Sequence, residues 1–273
     1  RQSARGPARG AAAHGGRRER SPAMSGMFAV MRKEWKTYLI TPAAYVVVAL
    51  FAFVSAFFFY NMLAVFVMQS LNGGFGGGNL NVNVQVLQPL MFDIGITLLF
   101  LLPMVTMRQY AEEANSGTME LLKTAPIRRM DVILGKFFAA LGLLIVLLII
   151  TGFYVGVVAH YGTPDLRAAA ISLLGLLLLG GAFLAIGLLI SSFTKSQVVA
   201  GVITFVLFLV LWIADWPVAY SSGTAAHVIA YLSVTSHLQN FTQGILDLKD
   251  VIFYLSLIVA GLFLTARRME LAE

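Results

Sequence analysis

From Thr37 to Phe92 the chain carries no charged side chain. A water-soluble domain keeps Lys, Arg, Asp and Glu at intervals along its surface, so a run this long has no place in one. A bilayer accepts it, because a helix of roughly 20 apolar residues crosses about 30 Å of hydrocarbon and satisfies its own backbone hydrogen bonds. The composition agrees, with 59% hydrophobic and only 12% charged residues and a mean hydropathy of +0.83. The expected fold is therefore an all-α integral membrane protein. Six transmembrane helices read at about 43–68, 88–107, 134–159, 168–191, 197–214 and 251–266.

Around these spans the sequence places smaller features. Residues 1–26 hold six arginines, one glutamate and many Ala, Gly and Ser. That composition predicts a disordered tail, or an over-long start with the true initiator at Met24 or Met27. Residues 27–273 read as a single six-helix transmembrane domain. In 28–40, Phe28, Met31, Trp35 and Tyr38 share one helical face and Arg32, Lys33 and Lys36 lie around the rest, which predicts an N-terminal interfacial helix. The Gly- and Asn-rich stretch 71–85 reads as an uncharged external loop, since no Lys-Ser or Lys-Thr follows to make it a phosphate cradle. Pro103 should kink the second span, which continues as helix toward Ser116. Asp93 sits near the outer start of that span and reads as a hydrated interface residue rather than a transport carboxylate. Between spans five and six, residues 215–250 place Leu238, Phe241, Ile245 and Leu248 at helical spacing. They read as an outward amphipathic re-entrant segment.

Charge sets the orientation. Of 19 Lys and Arg, all but Arg167 and Lys249 fall in the N-terminal segment, in 108–136, in the loop before span five or in the C-terminal tail. Positive loops stay cytoplasmic, so both termini and the 108–133 segment are expected inside. The net charge of +6 is explained the same way and implies no nucleic-acid partner.

Several chemistries find no support. With no cysteine there is no disulfide and no thiolate. His14, His160, His227 and His237 show no metal-ligand spacing and read as loop or interface histidines. Ser191 or Ser192 lacks the context of a Ser–His intramembrane protease. Lys136 lies near a cytoplasmic span end, where it can snorkel to water. No P-loop pattern occurs in these residues, so ATP hydrolysis, if used, is expected on another chain. No catalytic, cofactor or metal residue is assigned.

One segment stands out. Nine charged residues lie between Arg108 and Lys136. In "EEANSGTMELLKTAPIRR", Gly117 reads as a helix stop and Thr118 as the N-cap of a short second helix. Glu120 falls in its first turn, Leu121 and Leu122 form its apolar side, and Pro126 ends it. The residues alone leave open a solvated connector and a helix presented to a partner's groove.

This segment resembles the signature of type-2 ABC exporter permeases, in which a Glu-rich helix end leads to Gly-Thr-x-Glu-x-Leu and then Pro. The matching positions are Glu112, Glu113, Gly117, Thr118, Glu120, Leu121, Leu122 and Pro126. "RKEWKTYLITPAAYVVVALF", "GLLLLGGAFLAIGLLISSFTKSQVVAG" and "HLQNFTQGILDLKDVIFYLSL" extend the resemblance over about 28–268. The last of these is similar to the gliding-motility-associated branch, itself related to copper-enzyme-maturation permeases. The resemblance implies that 108–133 couples to an ABC ATPase subunit, which binds ATP and Mg. It also implies a second permease copy or homologue, with an accessory membrane protein as a further partner, in the bacterial cytoplasmic membrane. The alternative function is a mechanical or scaffolding subunit of an ATPase-driven gliding or assembly complex, without cargo flux.

Overall fold

The computed structural model describes residues 23–72, 81–117, 128–214 and 233–271. Among these residues the regular structure is all helical, with no strand. In chain order the helices are α1 (Ala23–Ile40), α2 (Pro42–Asn72), α3 (Gln88–Thr106), α4 (Ala111–Asn115), α5 (Arg129–Tyr161), α6 (Leu166–Ser191), α7 (Gln197–Ile213), α8 (Val234–Thr242) and α9 (Leu248–Leu271). A π-helical turn, Asn83–Leu87, leads directly into α3.

Five segments are long and apolar enough to cross a membrane: Pro42–Leu71, Asn83–Asn115, Arg129–Tyr161, Leu166–Ser191 and Leu248–Leu271. The span read at 197–214 is α7, a helix of 17 residues. At 1.5 Å per residue it is about 25 Å long. Most ends differ from the sequence reading, for local reasons. α2 runs to Asn72 and helix resumes at Val82, so the 71–85 loop is shorter at both ends and its centre, 73–80, lies outside the described residues. Asn83 takes a structural role there, accepting through Oδ1 from the Asp165 backbone N–H at 3.0 Å. Asp165 in turn caps α6 by accepting from Arg167 and Ala168 N–H. α1 begins at Ala23, inside the segment read as tail. α9 starts at Leu248, with the Asp247 carboxylate accepting from the Lys249 N–H. That bond, with the Lys249 ammonium, holds Asp247 below the usual carboxylate value.

α6 is the centre of the bundle and packs against α3, α5, α7, α8 and α9. Small residues permit this, because backbones approach closely only where side chains are absent. A Cβ on Gly187 would lie 2.6 Å from the Thr106 Cβ of α3, and one on Gly180 would lie 2.5 Å from Leu144 of α5. α2 and α7 lie at the rim and keep large apolar side chains exposed, among them Phe53, Phe57, Val198 and Val202. That outer surface suits lipid and not water.

Two amphipathic readings change. α8 buries Val234, Leu238 and Phe241, but Ile245 and Leu248 are 51% and 71% exposed and do not continue the stripe. Gly244, at φ +78°, ends the helix before the periodicity can extend. In α1, Met31, Trp35 and Tyr38 are partly buried and only Phe28 of that face is exposed, while the neighbouring Val30 and Glu34 are the buried residues, set against α5. Gly135 and Gly142 of α5 open the groove it occupies, touching Val30 and Trp35.

Candidate functional site

The site is built where α3 leaves the bundle. Pro103 lies inside the last turn of α3, and the helix stops at Thr106, with Met107 N–H bonded to the Pro103 carbonyl at 2.9 Å. The chain turns through 107–110 and restarts as α4. The new helix start is capped from a distance. Ser191, at the end of α6, accepts through Oγ from the N–H groups of Tyr110 and Ala111 at 3.1 and 3.2 Å and donates to the Met107 carbonyl. This buried hydroxyl closes otherwise unmade backbone bonds. It is committed to structure, so the Ser191 nucleophile considered above has no support here.

α4 carries Glu112 and Glu113 in its first turn. It ends at Gly117, whose φ of +71° is the left-handed conformation that stops helices. Thr118, Glu120, Leu121, Leu122 and Pro126 lie outside the described residues.

Beside α4 lies a buried ion cluster. Lys136 of α5 is only 1% exposed. Its Nζ donates to Glu34 Oε1 of α1 at 3.0 Å, to Glu113 Oε1 of α4 at 2.9 Å and to the Gln109 carbonyl at 2.8 Å. It also sits 5.2 Å over the Tyr110 ring. Lys33 approaches from the surface, 3.1 Å from Glu113 Oε1 and 3.6 Å from Glu34 Oε1. Burial acts to lower the Lys33 ammonium, but the charges of Glu113 and Glu34 outweigh it and hold it above its ordinary value. Lys136 therefore does not snorkel. α1 crosses the first turns of α5 and closes the path to water, and the carboxylates supply what water would have. Next to the cluster, Gln109 donates to the Tyr38 hydroxyl. Burial, with the Glu34 charge, raises the Tyr38 phenol.

Of the residues named from the sequence, Glu113 lies in the cluster and Gly117 ends α4, whereas Glu34 and Gln109 were not singled out and Ser191 was weighed only as a nucleophile. One signal was available: Glu34 is the sole acidic residue in 28–40. A cavity of about 270 Å³ opens beside the cluster, between α1, α2, α3, α4 and α5. Glu112 is exposed at its edge.

The other candidates scatter. Asp93 is half-buried near the start of α3. His160 stands near the end of α5 against the Tyr161 ring. His227 lies outside the described residues. His237 is neither a loop nor an interface histidine: it is buried in α8, stacked on Phe253 and 2.6 Å from Asp250 Oδ1. Asn240 donates to the other Asp250 oxygen at 2.8 Å. This trio pins α8 to α9. Among the described residues no group of three metal-ligating side chains occurs.

The sequence model of the family described as ABC-2 family transporter protein matches residues 28–267, most of the chain. A search of curated proteins finds no match.

Proposed function

Because the chain belongs to the ABC-2 transporter family, and is thus a multi-pass membrane subunit of an ABC transporter, we propose that it is an exporter permease driven by ATP hydrolysis on a separate chain. The segment 108–133 docks on that ATPase, with Glu120, Leu121 and Leu122 at the contact and ATP and Mg held by the partner. Both termini face the cytoplasm, six helices cross the bacterial inner membrane, and two permease copies enclose the path. The Lys and Arg distribution supports this orientation.

The observation that carries the reading is the bonding of Lys136 to Glu34 and Glu113. Charge-assisted hydrogen bonds away from water are short and stiff. They join α1, α4 and α5 at the root of the docking segment, while Ser191 ties the same root to α6. A push on 108–133 is therefore delivered to several helices together. The likeness of 237–257 to gliding-motility-associated permeases supports that branch. It also keeps a mechanical role in view, which absence of cargo flux in a reconstituted, ATP-hydrolysing complex would favour.

Docking is tested by affinity capture of the ATPase on membrane-inserted permease. Glu120→Lys, and separately Leu121→Asp with Leu122→Asp, should release the ATPase while insertion is unchanged. Capture at wild-type levels by both variants refutes the docking role.

A further inference from the structure

The cavity beside the ion cluster has an apolar end, with Ala44, Val47, Met104 and Leu143, and a charged end. At about 270 Å³ it falls just below the roughly 300 Å³ at which drug-sized ligand pockets begin, so it admits a headgroup and little more. Its charged lining balances: Lys33, Arg108 and Lys136 face Glu34, Glu112 and Glu113. Four of these satisfy one another in the ion cluster. Arg108 and Glu112 remain, with no ion pair among the described residues. Arg108 Nε is buried without a hydrogen-bond partner, and so is Oε1 of Gln109, a residue only 5% exposed. Buried polar groups are rarely left unmade, and both residues belong to the lining of one cavity.

The unmet demands are specific. Arg108 needs an anion and Gln109 Oε1 needs a hydrogen-bond donor, and the exposed Glu112 carboxylate at the mouth favours a cation beside it. We propose that the cavity binds the phosphoethanolamine headgroup of a membrane phospholipid. The phosphate meets Arg108, the primary ammonium donates to Gln109 Oε1 and faces Glu112, and the chains leave past Val47 along the exposed apolar side of α2, at Val46 and Leu50. A lipid with net negative charge finds no cation for Glu112 to meet. A quaternary ammonium has no N–H for Gln109. The proposal rests on the membrane orientation given above, which puts α1 and α4 at headgroup level.

The test is native mass spectrometry of the detergent-solubilised full chain with equal amounts of dioleoyl phosphatidylethanolamine, phosphatidylcholine and phosphatidylglycerol. The ethanolamine lipid should be retained about tenfold better than either other, the scale of one hydrogen bond to a charged group. Arg108→Gln should weaken it by a similar factor. Gln109→Leu should abolish the preference over phosphatidylcholine, and Glu112→Gln the preference over phosphatidylglycerol. Arg167→Gln, at an exposed residue far along the chain, should change nothing. Equal retention of the three lipids by the wild type overturns the proposal and needs no variant to fold. So does wild-type binding by Arg108→Gln. Orientation is tested apart from this by Asn115→Cys in the cysteine-free chain. Labelling from the outer side would refute the orientation while lipid selectivity still decides the site, and the ATPase enters neither measurement.

Discussion

Replacing Lys136 with Met removes the one cation that bonds Glu34 and Glu113 away from water. At an effective dielectric of about 20, each carboxylate near 3 Å attracts the ammonium by roughly 5 kcal/mol. Taking the charges out of water costs several kcal/mol per ion, so the intact cluster is close to neutral for stability. The asymmetry appears when one member is lost. Glu34 is 7% exposed and keeps only Lys33, at 3.6 Å, among the described residues. Leaving a buried charge without its partner costs about 3–5 kcal/mol. Lys136→Met should therefore destabilise by that amount in unfolding of the detergent-solubilised permease. Glu34→Gln in the same background removes the stranded charge and should recover at least about 2 kcal/mol, so the two substitutions are strongly non-additive. The stable double variant then separates stability from function. It should still capture the ATPase, because Glu120, Leu121 and Leu122 are unchanged, and fail in ATP-dependent changes of single-cysteine labelling on the far side of the membrane. A cost of Lys136→Met below about 1 kcal/mol, or simple additivity with Glu34→Gln, would refute the reasoning.

Ser191→Ala leaves the Tyr110 and Ala111 N–H groups without their acceptor. It should lower stability by about 1–3 kcal/mol in the same unfolding assay. Gly187→Val drives a side chain into Thr106, with even the first carbon 2.6 Å from Thr106 Cβ, and should cost at least about 1–3 kcal/mol by overpacking. Asp250→Ala strands His237 and Asn240 and should loosen α8, read as faster proteolysis near 233–247 together with a loss of about 1–3 kcal/mol. Gly117→Ala meets no neighbour within 4 Å, so its cost is backbone strain alone, about 1–2 kcal/mol. Its effect should appear in ATPase capture more than in unfolding.

Features decided within a few residues were readable in the chain. Pro103 announced a kink, which the structure realises as a break after Thr106, and Gly117 announced a helix stop, because each acts through its own backbone. Features that need a distant partner were not. Lys136 looked like a snorkelling lysine because nothing near it in sequence says that α1, about a hundred residues earlier, covers it. Ser191 looked like an idle hydroxyl at a span end until the 107–110 turn was brought against it. Periodicity carried the α8 stripe on to Ile245 and Leu248, past a glycine that stops the helix.

The sequence by itself determined the class of the protein, its main helices and the charged segment 108–136. Hydropathy and turn chemistry are local, and a bilayer reads them without reference to the rest of the chain. Only the tertiary structure decided that residues 34, 109, 113 and 136 form one buried knot. Their meeting depends on how closely α1 and α5 approach, which Gly135 and Gly142 permit, and on where α3 breaks, which Ser191 holds. Ion pairs in a membrane protein are set by which backbones can touch, and that is a property of the packed bundle.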